Sequence, residues 1–405
     1  MESLDYSKRL GRAAPHAAHY NCPVASILRW KPGNDGWQHD QAGPIQFQDI
    51  DGILAGSPVC AIFASANKVR TCPLCQSSFV KAFHMPEAWW SDYCQNSNGY
   101  VGSQVTTDQG VATGFNIWAY FEMKQLDERM NYQWHKINIF IRWLTSTRQI
   151  VVLFLDIKPP MIERIKTLLL NPDPSWLDDP FWVYARLADE IVRLEDSAVW
   201  AIRDHVRGIE KEERPEGIRP QPHYRRLHDI ARHAIHVSES LDVTAETMEG
   251  IITQHEDFTG QHFSADEINL DASRNIRRQL HFYKSMISSL RYRSASNKDR
   301  LQNEIQLAFN IAAQYDTAIS VQIGRAAQAD SSAMKTIAFF TMAFLPATFL
   351  ASIFSMSFFD YDAAADSWTV SNKFWIYWVF TIPITLGAFS LWYFWHRIFS
   401  SPPME

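Results

Sequence analysis

Residues 336–359 form a run of 24 residues that contains no charged side chain. An α-helix rises about 1.5 Å per residue, so the run would extend about 36 Å, against a hydrocarbon core about 30 Å thick. A buried core helix of this length would normally show a polar face, whereas this run shows only hydroxyl groups. The run therefore predicts a helix that crosses a membrane.

The hydroxyl groups of this run are regularly spaced. Thr341, Thr348, Ser352 and Ser355 follow one another at intervals of 7, 4 and 3 residues, which places them on one face of a helix. One interpretation is helix–helix packing, with each hydroxyl bonded to a carbonyl of its own helix. The other is a water-filled pore whose wall consists of hydroxyl and carbonyl oxygens. This stretch alone leaves both interpretations open.

A second uncharged run covers residues 374–395, with tryptophan and tyrosine concentrated at both of its ends. Such aromatic belts are typical of the membrane–water interface. Lys335 precedes the first run and His396 and Arg397 follow the second, whereas the connecting loop is acidic. Because positive charge stays on the cytoplasmic side, we expect both termini in the cytoplasm and the loop outside. The acidic residues of the loop are Asp360, Asp362 and Asp366.

A long amphipathic helix is predicted before the first membrane run. Ser296 and Asp299 have the spacing of a helix start, and no proline follows until Pro346. Apolar and small residues then recur at intervals of three and four, as in a coiled coil. This pattern predicts a stalk helix that continues into the membrane. Two membrane helices cannot enclose a pore, so a channel built on them requires a ring of identical chains.

The remainder of the chain has mixed patterns. Alternating apolar runs at residues 114–122, 136–144 and 149–155 predict strands, and long 3.6-residue periodicities predict helices at 181–212 and 223–255. We therefore predict a poorly ordered N-terminal extension at 1–44, a cytosolic α/β domain at 45–175, a cytosolic helical region at 176–295, the stalk at 296–334, the first membrane helix at 335–359, the acidic loop at 360–373, the second membrane helix at 374–396 and a cytoplasmic tail at 397–405.

Two groups of residues have metal-ligand character. Cys72 and Cys75 have the spacing of a zinc half-site, and Cys60, His84 and Cys94 are near them in sequence. A structural zinc site normally has two such pairs, so these cysteines are weak candidates and ordinary reduced thiols are the alternative. The second group, His228, His233 and His236, surrounds Arg232 on one predicted helix. This group of histidines could bind a transition metal, or it could simply form a solvated face of the helix.

Other classes of function find little support in the sequence. We find no nucleophile–base pair, phosphate-binding loop or dinucleotide fingerprint, so we predict neither an enzyme nor a bound cofactor. The net charge of −6 argues against nucleic acid as a partner. The expected partners are the lipid bilayer and further copies of the same chain.

The membrane run resembles the first membrane helix of the CorA family of magnesium channels. The resemblance rests on Met334-Lys335, on the run Leu345-Pro346-Ala347-Thr348-Phe349 and on the closing Phe354-Ser355-Met356-Ser357. Residues 84–90, 98–100 and 189–192 are similar to the cytosolic domain of fungal CorA-like proteins. The sequence departs from the family at its signature, because Ser355-Met356-Ser357 stands where the family has Gly-Met-Asn.

The resemblance implies an α+β cytosolic domain, a long stalk helix and two C-terminal transmembrane helices, assembled as a homo-oligomer of five chains. It implies a pore along the first membrane helix and a filter at the outer mouth. The pore-lining positions would be Met334, Thr341, Leu345, Thr348, Ser352 and Ser355. The mouth would be formed by Ser355, Met356, Ser357, Asp360, Asp362 and Asp366.

Two functional hypotheses follow. The first is a channel for divalent cations, with Mg²⁺ as the expected ion and the plasma membrane as the expected location. The second is a membrane-anchored sensor or scaffold that has lost conduction. The hydroxyl face and acidic loop favour the first hypothesis, and the serines in place of Gly-Met-Asn favour the second.

Overall fold

The computed structural model describes residues 24–33, 36–46, 56–127, 129–170, 173–212, 222–262, 269–355, 359–362 and 364–399. Its described residues divide into two compact units, the first ending at Ala308 and the second beginning at Phe309. The first unit contains a seven-stranded sheet and several helices. The second contains the membrane runs.

The strands of the first unit are β1 Val24–Gly33, β2 Gly36–Gln46, β3 Val59–Ala64, β4 Gly99–Asp108, β5 Val111–Leu126, β6 Tyr132–Leu144 and β7 Gln149–Leu155. Its helices are α1 Ala66–Thr71, α2 Pro73–Phe83, α3 Asp92–Gln95, α4 Pro159–Leu168, α5 Trp182–Glu210 and α6 Tyr224–Asp257, with short 3₁₀ helices at Glu87–Trp90 and Pro174–Asp178. Helix α7, Leu270–Phe354, contributes its first part to this unit. The second unit continues α7 and adds β8 Phe359–Asp362, β9 Ser367–Val370 and α8 Trp375–Phe399.

The strand order in the sheet is β2-β1-β3-β7-β6-β5-β4. Strands β3 and β7 pair in parallel and all other neighbours pair antiparallel. After Gln149, strand β7 is apolar and buried on both of its faces, because Val152 and Phe154 join one core and Val151, Leu153 and Leu155 join another. Helices α5 and α6 cover the first core, and α1 and α2 cover the second, giving three layers.

The predicted class is therefore confirmed: a mixed α and β part, a long helix and two C-terminal apolar helices. The prediction of a poorly ordered segment at 1–44 is wrong for residues 24–33 and 36–44, because these residues belong to β1 and β2. Strand β1 lies between β2 and β3 and buries Ile27, Leu28 and Trp30. The partner strand β3 lies outside the local sequence of β1. The local pattern therefore did not reveal that β1 would be paired on both sides.

The predicted start of the stalk at Ser296 is also wrong, because α7 begins at Leu270 and passes through this position without a break. The residue after the apparent cap, Asn297, is buried and its Nδ2 donates to the carbonyl of Val199 on α5 at 3.2 Å. Asn297, which follows the apparent cap, therefore anchors α7 to α5. The helix also ends earlier than predicted, because Phe359 belongs to strand β8.

Candidate functional site

The candidate site is the part of α7 that contains the predicted hydroxyl face. Thr341, Thr348 and Ser352 are all exposed. Each donates its hydroxyl hydrogen to a carbonyl one turn earlier: Thr341 Oγ1 to Ile337 at 2.9 Å, Thr348 Oγ1 to Phe344 at 2.9 Å and Ser352 Oγ to Thr348 at 2.9 Å. The hydroxyl hydrogens are thus used within the helix, while the oxygen lone pairs remain able to accept hydrogen bonds.

Helix α8 packs on the side of α7 that is opposite to the hydroxyl face. The ring of Phe339 lies 5.3 Å from that of Phe389 and 5.6 Å from that of Trp392, measured between centroids. Leu350 is buried. At about 100° per residue, Phe339 and Leu350 lie about 160° to 180° around the helix from Thr341. The intrachain contact therefore leaves the hydroxyl face uncovered.

The other predicted pore-lining residues share this uncovered face. Met334 and Leu345 are 68% and 59% exposed, and both lie within about 40° of Thr341 around the helix. Ser355 follows directly after α7 and is exposed. Met356 and Ser357 lie outside the described residues. The structure thus places the five predicted positions from Met334 to Ser352 on one face of α7, with Ser355 exposed directly after the helix.

Prolines interrupt both membrane runs, Pro346 within α7 and Pro383 within α8. A proline has no N–H, so the carbonyl four residues earlier loses its helical partner. In α7 this carbonyl belongs to Met342. A membrane interior offers few donors to such an oxygen, so freed carbonyls there are usually satisfied by neighbouring polar groups or by water in a cavity.

The acidic loop folds into a two-stranded hairpin, in which Asp360 pairs with Thr369 and Asp362 with Ser367. The backbone of Asp360 is part of β8, and its side chain is outside the described residues. Asp362 and Asp366 are exposed at the turn, where Asp362 Oδ1 accepts from the Ala364 amide at 2.9 Å. The hairpin therefore places two of the three predicted aspartates, Asp362 and Asp366, at an exposed turn.

Two buried hydroxyls on α8 were not predicted from the sequence. Thr381 is 6% exposed, and neither its Oγ1 nor that of Thr385 has a hydrogen-bond partner among the described residues. Both residues share one face of α8 with Phe389 and Trp392, the residues that contact Phe339. The spacing of four residues between the threonines was the available signal. Their hydroxyls lie in the face that α8 turns towards α7.

Several of the cysteines and histidines that were candidate metal ligands are buried among packed side chains. Cys72 and Cys75 are buried in the second core with Cys60, and burial raises the pKa of the Cys60 thiol to about 12. His233 is buried, whereas His228 and His236 are partly or fully accessible. Within the residues that the structure describes, no group of three or more His, Cys, Asp or Glu side chains is arranged to hold a metal ion.

A serine, a histidine and an aspartate do meet in the first unit. His255 Nε2 lies 2.8 Å from Asp179 Oδ2 and 3.1 Å from Ser273 Oγ, and Ser273 donates to Asp179. A catalytic relay needs the serine and the carboxylate on different ring nitrogens and an accessible serine. Here both contact Nε2 and all three residues are buried. The cluster joins the beginning of α5, the end of α6 and the beginning of α7, and the sequence analysis missed it.

A buried carboxyl group lies between α5 and α6. Glu195 Oε1 accepts from Ser240 Oγ at 2.9 Å and from Thr244 Oγ1 at 3.1 Å. Burial raises the pKa of Glu195 to about 8, although the two hydroxyl donors act in the opposite direction. Burial therefore favours the neutral form of this carboxyl group, whose hydrogen bonds link α5 to α6.

Comparison with known proteins identifies the class. Residues 128–397 match the family described as CorA-like Mg²⁺ transporter protein, and the chain belongs to this family. The family is one of transporters. Helices α7 and α8 each contain a segment that is long and apolar enough to cross a membrane. Family membership and the two apolar helices together support a membrane protein.

Among curated proteins, the chain is similar to the Notoamide biosynthesis cluster protein M' of Aspergillus versicolor, with 31% identity over 288 residues. The match covers 66% of this chain and 61% of that protein, so the chain spans about three fifths of its relative's length.

Two solved structures are also similar. The cytoplasmic domain of ZntB from Vibrio parahaemolyticus matches with 9% identity and a TM-score of 0.39, covering 69% of this chain and 98% of that one. The full-length CmaX protein matches with 13% identity and a TM-score of 0.41, covering 94% and 99%.

Proposed function

We propose that this chain forms a homo-oligomeric channel for divalent cations, with Mg²⁺ as the preferred ion and the hydroxyl face of α7 as the wall of the pore. Membership of a transporter family supports transport of a divalent cation. The observation that carries the proposal is the packing of α8 on the side of α7 opposite to the hydroxyls. This packing leaves a stripe of oxygens on the outside of each chain's helix pair.

A ring of copies accounts for that stripe. In a single chain the hydroxyl oxygens would face lipid, which offers them no hydrogen bonds. Several chains can instead turn these oxygens towards a common axis. The family resemblance implies five chains. The contact of Phe339 with Phe389 and Trp392 then places α8 on the outer side of the ring, where its exposed aromatic and aliphatic side chains meet lipid.

The hydrogen bonds within α7 suit a hydrated cation. Mg²⁺ gives up its water reluctantly and prefers oxygen ligands, so it is best recognised with its water shell in place. The waters of that shell donate hydrogen bonds, and a wall that recognises them must accept. Thr341, Thr348 and Ser352 direct their hydrogens into their own helix and keep their lone pairs as acceptors.

The hairpin between the membrane helices would collect cations. Asp362 and Asp366 are exposed at its tip, and a ring of chains multiplies their charge. The attraction acts within a Debye length of about 8 Å at physiological salt. Ser355, Met356 and Ser357 would form the filter, with hydroxyl oxygens in place of the amide of the family signature.

A non-conducting sensor or scaffold is the second candidate. Two observations favour it: the signature Gly-Met-Asn is replaced by Ser355-Met356-Ser357, and the hydroxyl groups of α7 already have intrahelical partners. The similar protein from Aspergillus versicolor is named for a biosynthesis cluster, which is compatible with either candidate.

Ion flux into liposomes distinguishes the two candidates. The full chain is purified in detergent, checked for a stable oligomer by native mass, and reconstituted with a Mg²⁺-sensitive dye inside. The channel proposal predicts dye responses that rise with the protein-to-lipid ratio and are absent from empty liposomes. A stable oligomer that passes no Mg²⁺, Zn²⁺, Co²⁺ or Ni²⁺ would favour the sensor or scaffold.

The proposed orientation has both termini in the cytoplasm and the hairpin outside, at the plasma membrane. Ala364 is exposed between β8 and β9, so Ala364→Cys should react with a membrane-impermeant thiol reagent on intact cells. The wild type, whose cysteines all precede residue 95, is the matched control and should react only after permeabilisation. Labelling of Ala364→Cys solely in permeabilised cells would contradict this orientation or this membrane.

A further inference from the structure

Lys124, near the end of β5, is a buried cation without a carboxylate partner among the described residues. Its side chain is 3% exposed. Its Nζ lies 4.5 Å from the ring centroid of Tyr132 and 5.2 Å from that of Trp134, which is directly opposite Lys124 on β6. Burial, followed by the charge of Arg232, lowers the pKa of Lys124. Aromatic faces replace only part of the hydration that a buried ammonium group loses.

His233 on α6 lies against the ring of Tyr132. It is 6% exposed, and its ring centroid is 5.4 Å from that of Tyr132. Its Nδ1 is buried and has no hydrogen-bond partner in the described part of the chain. Burial, and then the charges of Lys124 and Arg232, lower the pKa of His233 to about 4. The ring is therefore neutral at pH 7, and Nδ1 can carry the ring hydrogen.

Arg232 completes a group of donors with a route to solvent. Its Nη2 donates to Asp229 Oδ1 at 2.8 Å, which leaves further guanidinium hydrogens for another acceptor. Arg232 and Tyr132 are exposed, so the cluster is reached from the surface. The carboxylates at its rim are engaged: Asp229 with Arg232, and Glu239 with Asn98 at 2.7 Å and with His236 at 3.7 Å.

We propose that Lys124, Arg232 and His233 bind a phosphate group, either as free phosphate or as part of a small soluble phosphate monoester. Phosphate oxygens would accept from the ammonium, guanidinium and imidazole N–H groups, and charge-assisted bonds of this kind are the strong ones. Tyr132 and Trp134 would flank the bound group. The site lies where β5, β6 and α6 meet, and it is independent of the proposed pore.

Isothermal titration of the full chain in detergent, at pH 7 and constant ionic strength, tests this site. Inorganic phosphate and glycerol 3-phosphate are titrated separately. We expect saturable binding of at least one of them, with one site per chain. Lys124→Met should weaken that binding about tenfold or more, because a buried charged donor is lost. Arg232→Gln should weaken it about three- to tenfold.

Lys136→Met is the matched control. Lys136 is a neighbouring strand lysine on β6, half exposed and paired with Glu122 at 3.4 Å, and its loss should leave phosphate binding within about twofold. Equal weakening by Lys136→Met and Lys124→Met would overturn the proposal, as would the absence of saturable binding to the wild type up to about 10 mM of either probe. Should Lys124→Met fail to fold, the exposed substitution Arg232→Gln decides by the same criteria.

Discussion

Replacing Thr348 by Val and Ser352 by Ala together is expected to reduce the initial rate of Mg²⁺ entry into liposomes at least about tenfold. These changes remove two oxygen rings from the proposed pore wall while keeping helix volume and apolar character. Tenfold corresponds to about 1.4 kcal/mol of barrier, which is the order of one lost hydrogen bond per ring to the ion's water shell. The flux assay with an internal Mg²⁺-sensitive dye measures the effect.

Thr336→Val is the matched control for this prediction. Thr336 is also exposed on α7 and its Oγ1 also donates within the helix, to Ser332 at 3.0 Å. It lies about 140° around the helix from Thr341. If the hydroxyls act through the pore, Thr336→Val keeps wild-type flux. If they act only through helix stability, all three substitutions should cost similar activity, and the pore interpretation of the hydroxyl face fails.

Asp179→Ala is expected to destabilise the first unit by about 3 kcal/mol or more. Asp179 holds three elements: Oδ1 accepts from the Phe181 amide at 2.9 Å, and Oδ2 contacts His255 and Ser273. Removing it leaves several buried donors without an acceptor, and each such group costs about 1–3 kcal/mol. Urea unfolding of the full chain in detergent, followed by far-UV circular dichroism, measures the loss.

Two further variants define the origin of that loss. Asp179→Asn keeps an oxygen acceptor in the same place and should recover a substantial part of the stability. Asp189→Ala removes an exposed carboxylate on α5 that accepts only a long bond, 3.4 Å, from Tyr283, and its effect should be within about 0.5 kcal/mol. An Asp179→Ala protein as stable as Asp189→Ala would show that the buried cluster does not hold the junction together.

Local sequence patterns were sufficient to predict much of the fold. Strand β7 has the predicted limits 149–155, and α5 and α6 lie within two residues of the predicted helices, because their apolar periodicities extend over many residues. The two apolar helices could also be predicted from the sequence, because an uncharged run long enough to span a bilayer seldom forms any other structure.

The features that were missed depend on contacts between distant residues. Ser296 and Asp299 looked like a helix start, and nothing local indicated that Asn297 between them bonds to Val199, 98 positions away. Lys124 and His233 are 109 positions apart, and nothing in either local sequence indicates that both lie against the ring of Tyr132. The hydroxyl face itself was predicted, but the sequence could not reveal which side of α7 helix α8 covers, and the pore argument rests on that side.

Accessibility of single cysteines along α7 tests the central claim most directly. Thr341, Thr348 and Ser352 are each changed to Cys, and the reconstituted proteins are treated with a small, cationic, water-soluble thiol reagent. Leu350→Cys and Ala343→Cys, which lie about 160° to 180° away on the side that α8 covers, are the comparison set. Background labelling is measured on the wild type. The proposed pore predicts that the three hydroxyl-face cysteines react at least about tenfold faster than the comparison set, since only they face water. Reaction rates that are equal around the helix, or undetectable on the hydroxyl face of a stable oligomer, would contradict an aqueous pathway along α7.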